Sequence, residues 1–199
     1  MSIDDLKLLY GIGCLVLGLI ILSPTLTMVI SLPGGERFSE LWILGPEHLA
    51  ENYPFNIVEG RVYNISLGVA NHMGKTEYYV VYVKVRNQTE PLPNSVNGTP
   101  SPLNPVFEYR VFLGDSEVWE KEISFSLKEF TFENGSCRVS KLVLGGNSID
   151  IDKVAFWDAE NRGFYFQIFF ELWIYDSKVM GFQYHNRFVG LWLNATLTS

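Results

Sequence analysis

Three histidines, two cysteines and one acidic run are the residues of this chain best able to carry chemistry. His48, His72 and His185 lie far apart, no two of them share an element at metal-ligand spacing, and neither H-E-x-x-H nor a Cys/His cluster occurs. Each reads as a surface or turn residue. A Ser-His-Asp triad can be assembled from distant positions. The chain has no G-x-S-x-G elbow and no glycine-rich phosphate loop to accompany one. No catalytic residue and no cofactor are therefore expected. Arg138 and Lys141 stand near Cys137, which is too little to stabilise a thiolate, so Cys137 reads as a small strand residue.

The acidic run holds Asn147, Asp150, Asp152, Asp158 and Glu160. Calcium takes six to eight oxygens, which makes Asp150, Asp152 and Asp158 weak metal candidates. Their spacing does not follow the helix–loop–helix calcium pattern, and a solvated loop is the simpler reading, with no metal. Trp119, Trp157, Trp173 and Trp192 could stack on sugars. Most of them sit in alternating strands, where a place in the core accounts for them. Trp157, in the loop-like Ala155-Phe156-Trp157-Asp158, is the candidate for glycan binding.

The elements that must position these residues begin with an apolar run. No charged residue falls between Leu8 and Leu32, a stretch of about 25 positions that as a helix is roughly 37 Å long. The hydrocarbon core of a bilayer is about 30 Å thick, so residues 1–32 are expected to form a cytoplasmic tip and one transmembrane helix. Val29-Ile30-Ser31-Leu32-Pro33 lacks the small-residue cleavage pattern of a signal peptide, which favours an uncleaved anchor. Gly11, Cys14 and Gly18 share one face, which suits packing against another membrane helix. Ser23-Pro24-Thr25 is expected to bend the helix. Because Cys14 falls in this run, a bridge to Cys137 is not expected.

Residues 33–199 carry the remaining patterning. The net charge of −7 argues against nucleic acid as a partner. The aromatic share of 15% suits strands. Period-two alternation predicts strands at Phe38–Leu44, Arg61–Ala70, Glu77–Arg86, Val106–Leu113, Glu117–Leu127, Arg138–Leu144, Phe164–Tyr175 and Asn186–Leu197. Glu77–Arg86 and Phe164–Tyr175 are apolar on both faces, as in strands covered on both sides. Asn71-His72-Met73-Gly74 and Gly114-Asp115-Ser116 read as hairpin loops, and Gly145-Gly146-Asn147 closes another strand. The fold expected is mainly β, an immunoglobulin-like antiparallel sandwich after the helix. The stretch 87–105, with five prolines, reads as a long exposed loop.

Asn-x-Ser/Thr occurs at Asn64, Asn87, Asn97, Asn134 and Asn194, all beyond the apolar run. These are candidate N-linked glycosylation sites. They place the N-terminus in the cytoplasm and the sandwich outside, with Asn64 and Asn194 turned away from the core by alternation.

The segment Pro33-Gly34-Gly35-Glu36-Arg37-Phe38-Ser39-Glu40-Leu41-Trp42-Ile43-Leu44-Gly45-Pro46 resembles the opening of an archaeal membrane-protein family, domain of unknown function 1616. The likeness continues through Ala50-Glu51-Asn52-Tyr53-Pro54 and Val69-Ala70-Asn71-His72, and returns at Arg187-Phe188-Val189-Gly190-Leu191-Trp192-Leu193. The resemblance implies an archaeal envelope location and supplies no catalytic residue. The function expected is a non-enzymatic, membrane-anchored module outside the cytoplasm, held in lipid and working through a protein partner or self-association. The alternatives are a carbohydrate-binding module for surface glycans and an accessory subunit of a glycan-assembly enzyme.

Overall fold

The computed structural model describes residues 3–29 and 36–196, without the side chains of residue 6 and residues 22–29. The chain divides into two units, Met1–Arg37 and Phe38–Ser199.

The first unit is one helix, α1 (Ile3–Val29), of 27 residues. Asp4 and Asp5 stand in its first turn, where carboxylates favour the positive end of the helix dipole. Lys7 reaches Asp4 at 3.3 Å. Beyond them Leu15, Val16 and Leu17 are all exposed, and at about 100° per residue they are spread over roughly 200° of the helix circumference. Gly11 and Cys14 are exposed and Gly18 is half-buried; a side chain built at either glycine meets nothing within 4 Å. Among the described residues no helix is long and apolar enough to cross a membrane, so the expected transmembrane span is not met there. Part of that span, residues 30–32, lies outside the described residues. So do the side chains of the expected Ser23-Pro24-Thr25 bend.

The second unit is a mainly β, two-sheet sandwich. Its strands are β1 (Phe38–Leu44), β2 (Asn56–Val58), β3 (Tyr63–His72), β4 (Glu77–Asn87), β5 (Phe107–Leu113), β6 (Val118–Glu133), β7 (Ser136–Leu144), β8 (Asn147–Phe156), β9 (Tyr165–Asp176) and β10 (Gly181–Thr196). The first sheet runs β1-β3-β6-β7-β8 and the second β2-β10-β9-β4-β5. Alternation puts Ile65, Leu67 and Val69 of β3 and Ile123, Phe125 and Leu127 of β6 on the inner face of the first sheet. They meet Tyr79, Val81 and Val83 of β4 and Phe166, Ile168, Phe170 and Leu172 of β9. Cys137 is fully buried here, and burial pushes its thiol up to about 12, which leaves it inert at neutral pH.

Several expectations need correction. The sandwich is not wholly antiparallel, since β2 pairs with β10 in parallel. Asn71–Gly74 and Gly114–Ser116 are not hairpins. Each carries the chain from one sheet to the other, because β3 and β6 belong to the first sheet and β4 and β5 to the second. Alternation shows where a strand runs but not which sheet receives it. The acidic run is a loop only in part: Asn147–Phe156 is the edge strand β8, paired with β7 through a bulge, and Asp158 and Glu160 lie in the turn that follows. Ile149 and Ile151 are half-buried while Asp150 and Asp152 are exposed. Asn134-Gly135 is more than a sequon. Both residues have positive φ, 49° and 74°, and join β6 to β7 by the tight turn that Asn-Gly favours.

The proline-rich stretch is not freely exposed either. Pro93 and Ser101 are buried, and the segment lies over the outer face of the second sheet. Lys84 of β4 and Glu171 of β9 form an ion pair there at 2.8 Å, with side chains 4% and 0% exposed. Lys84 Nζ also donates to the carbonyl of Ser101 at 2.8 Å, and the Ser101 N–H donates to Glu171 Oε1 at 2.8 Å. Further along the loop, Asn186 of β10 donates to the Ser95 carbonyl at 2.9 Å. At the near end, Asn87 Nδ2 donates to the Val154 carbonyl at 2.8 Å and Lys153 meets Glu90 at 2.5 Å. These two contacts tie the loop to β8 of the opposite sheet.

Candidate binding cleft

Two Ser–His pairs come together. In the first, His48 Nδ1 faces both Ser66 Oγ at 3.4 Å and Glu120 Oε1 at 2.6 Å, so the carboxylate takes the ring nitrogen that a serine's base would need. The second lies on the seam where β1 meets β10. A bulge between Tyr184 and Arg187 accompanies His185, whose Nε2 lies 3.1 Å from Ser39 Oγ. Ser39 Oγ is 2.7 Å from the Tyr79 hydroxyl, which donates to Asn71 Oδ1 at 3.0 Å. Counting protons fixes the direction. Tyr79 spends its proton on Asn71, so Ser39 donates to Tyr79 and His185 donates Nε2–H to Ser39. A nucleophile–base pair needs the opposite arrangement, with the imidazole accepting from the hydroxyl. Ser39 is also only 1% exposed. The chain of four side chains braces one sheet against the other and performs no acyl chemistry.

This brace is pH-sensitive. Burial lowers the His185 pKa, Arg187 lowers it further, and Glu77 opposes both. A lowered folded-state value means that the unfolded chain binds the proton more readily. The contribution of His185 is therefore complete above the unfolded value of about 6.5 and is lost as pH falls below it. Thermal melts of the detergent-solubilised chain between pH 8 and pH 5 are expected to show a smaller pH-dependent fall in His185→Gln than in the wild type. Parallel curves would refute the assignment.

The metal candidates do not converge. Asp150 and Asp152 stand on β8, and Asp152 pairs with Arg138. Asp158 caps its own turn, accepting from the N–H groups of Glu160 at 2.9 Å and Asn161 at 3.0 Å. Among the described residues no three His, Cys, Asp or Glu side chains group as a metal site. The asparagines divide into two sets. Asn97 and Asn134 are exposed, whereas Asn64, Asn87 and Asn194 are half-buried. Asn87 Nδ2 is engaged with Val154 and Asn194 Nδ2 with Asn56 at 3.1 Å, while Asn64 Oδ1 is buried without a partner. Trp157 is half exposed, at 51%, and meets Phe164 edge-on at 5.1 Å.

A cleft lies beside Trp157 without using it. A cavity of ≈ 370 Å³ is lined by Phe55, Gln88, Asp158, Asn161, Tyr165 and Trp192. Phe55 immediately precedes β2, Trp192 is on β10, Tyr165 opens β9, and Gln88 follows β4. The cavity thus spans four adjacent strand ends of the second sheet, closed on one side by the turn 158–163. That turn is firm, because Asp158 and Gly163 exchange backbone hydrogen bonds of 2.9 and 3.3 Å and Asn161 Nδ2 donates to Asp158 Oδ2 at 2.8 Å. The Asn161 contacts hold the Asp158 carboxyl below its usual range. Behind Trp192, the Arg86 guanidinium stacks at 5.1 Å from the ring centre.

The opposite end of the same sheet carries an aromatic patch. Tyr78 and Phe112 stack at 4.0 Å, Phe182 meets Tyr78 edge-on at 5.0 Å, and Tyr175 meets Phe182 at 5.5 Å. Phe112 is 67% exposed and Met180 82%. Arg110 lies over Phe182 at 5.3 Å.

The class this defines is a mainly β, two-sheet sandwich with one aromatic cleft and one aromatic patch at opposite ends of a sheet. The chain belongs to the family described as a domain of unknown function, DUF1616, whose model matches residues 32–144. No curated protein matches it. Among solved structures it is similar to the CARDB domain of the PF1109 protein from Pyrococcus furiosus, in complex with di-metal ions. The identity is 10% and the TM-score 0.41, covering 83% of this chain and 94% of that one. It is also similar to a chain of the complex between Zinc 2-glycoprotein and Prolactin inducible protein from human seminal plasma, at 8% identity and TM-score 0.38, covering 82% and 99%. A third is a beta-glucosidase from Listeria innocua in complex with glucose, at 10% identity and TM-score 0.35, covering 80% of this chain and 16% of that one.

Proposed function

We propose that this protein is a non-enzymatic module of an archaeal cell envelope, anchored by its N-terminal apolar run, with its sandwich outside the cytoplasm and binding protein through the aromatic patch. The observation that carries the contact reading is the aromatic cluster of exposed Phe112 and Tyr175 with half-buried Tyr78 and Phe182, flanked by Met180 and Arg110. Aromatic residues, methionine and arginine are the types enriched where proteins meet. The anchor is supported by the uncharged run Leu8–Leu32 and by apolar side chains exposed around α1, which leave that helix no polar face to turn to water. The sealed Ser39–His185 pair supports a module without hydrolytic chemistry.

Two measurements test it. Membranes washed with alkaline carbonate are expected to retain the chain, and its release would refute the anchor. Light scattering of chain extracted in mild detergent is expected to show a stoichiometric assembly, with itself or with a partner. Phe112→Asp should weaken that assembly on the order of tenfold or more, as loss of an interface anchor does. A strictly monomeric, partner-free wild type would refute the contact reading.

A further inference from the structure

We propose that the cleft between Phe55, Tyr165 and Trp192 is a binding site for a neutral saccharide. This does not rest on the contact reading above. Tyr165 and Tyr175 mark the cleft and patch ends of β9, ten residues and so about 33 Å apart.

Four observations lead to that ligand class. The first is size, since ≈ 370 Å³ falls within the range of roughly 300–1,000 Å³ typical of small-molecule sites. The second is ring exposure. Phe55 and Trp192 are 46% and 37% exposed, so both rings present a face to solvent. Phe55 and Tyr165 lie 6.0 Å apart at 36°, which makes a splayed platform rather than the perpendicular walls of a cage. An aromatic face is electron-rich, and the aligned C–H bonds on one side of a pyranose present the complementary positive face.

The third is the kind of polar group beside the platform. Gln88, Asp158 and Asn161 are planar amides and a carboxylate, able to receive and donate to adjacent hydroxyls. Asp158 already accepts three N–H bonds, so of its roughly four acceptor sites about one is left for a ligand. That suits a single hydroxyl donor better than a cation seeking a bare carboxylate. Gln88 spends its Nε2 on the Phe156 carbonyl at 2.9 Å and keeps its oxygen as an acceptor. Arg86 already supplies the cation on one side of Trp192, and the charged Asp158 repels phosphate, which removes nucleotides from consideration.

The fourth is how firmly the platform is held. The Tyr165 hydroxyl donates to the Asn161 carbonyl at 2.6 Å. Gly163 allows the close approach beneath, where a Cβ would stand 2.8 Å from Tyr165 Cζ and 2.4 Å from Asn194 Oδ1. A rigid site spends little ordering entropy when a ligand arrives.

The test uses the full chain in detergent on an array of neutral oligosaccharides built from hexoses and N-acetylhexosamines, followed by saturation-transfer NMR in solution. Wild type is expected to bind at least one of them. Phe55→Ala and Trp192→Ala should each weaken that binding tenfold or more with unchanged melting temperature. Phe55→Trp, which keeps a ring in place, should retain it, and so should Trp157→Ala, which leaves the cleft intact. An array without a hit, binding that survives both ring deletions, or binding of tetramethylammonium in place of every sugar would each overturn the assignment.

Discussion

Glu171→Ala is expected to destabilise the sandwich by about 3–5 kcal/mol, the penalty for leaving a buried charge without its partner. Glu171 is wholly buried on the outer face of β9. Its carboxylate receives Lys84 Nζ at 2.8 Å, the Ser101 N–H at 2.8 Å and Trp173 Nε1 at 3.0 Å. Alanine removes the acceptor of three donors at once, one of them an ammonium that is 4% exposed. Lys84 would keep only the Ser101 carbonyl. A domain of this kind has about 5–15 kcal/mol in total, so much of it would go. Urea unfolding of the detergent-solubilised chain measures the loss, and limited proteolysis reports where it acts. Cleavage is expected within residues 88–105, because Ser101 is the loop's anchor on the sheet. The pair Lys84→Met with Glu171→Met buries no charge and should recover part of the loss, leaving the Ser101 and Trp173 donors unpaired. A loss below about 1 kcal/mol for Glu171→Ala would show that water reaches the pair.

That ion pair also marks the limit of what the residues disclose in one dimension. β4 and β9 are legible as doubly covered strands because both faces are apolar, and the structure buries both faces. Lys84 and Glu171 interrupt the outer apolar face with opposite charges, a hint that something polar docks there. The covering segment is not legible as a cover. Its prolines exclude a strand, and composition says nothing of a single backbone N–H, at Ser101, that would close over Glu171. β8 is missed for a related reason. Asp150 and Asp152 attract a reading as ligands, although Ile149 and Ile151 between them carry the same alternation as every other strand. The cleft draws on Phe55, Gln88, Asn161 and Trp192, which no local pattern connects. Only the sheet order brings β2, β10, β9 and β4 side by side, and sheet order depends on crossovers that look like hairpins.

Those crossovers depend on Asn71, and Asn71→Leu is expected to cost about 4 kcal/mol, from several buried polar groups at about 1–3 kcal/mol each. Asn71 is the penultimate residue of β3 and has no exposed surface. Its Nδ2 donates to the carbonyls of Lys75 at 2.8 Å, Leu113 at 2.8 Å and Gly114 at 3.0 Å. Its Oδ1 accepts from the Met73 N–H at 3.0 Å and from the Tyr79 hydroxyl at 3.0 Å. Its backbone closes the other crossover, accepting from the Ser116 N–H at 2.7 Å and donating to Glu117 at 3.0 Å. One side chain thus joins the β3–β4 and β5–β6 turns and terminates the brace from His185, which gives a physical reason for an asparagine here. Leucine fills the space but takes the side-chain partner from Met73 N–H and the Leu113 carbonyl, and leaves the Tyr79 hydroxyl with Ser39 alone. Asn71→Asp should fare no better, since it turns a carboxylate towards three carbonyl oxygens. Tyr79→Phe removes a single link and should cost about 1 kcal/mol. Because the two residues share one network, the double variant Asn71→Leu with Tyr79→Phe should lose less than the sum of the singles. Hydrogen exchange is expected to speed up at Met73 and Ser116 in Asn71→Leu. Unchanged exchange at both turns, or a strictly additive double variant, would mean that the corner holds without its asparagine.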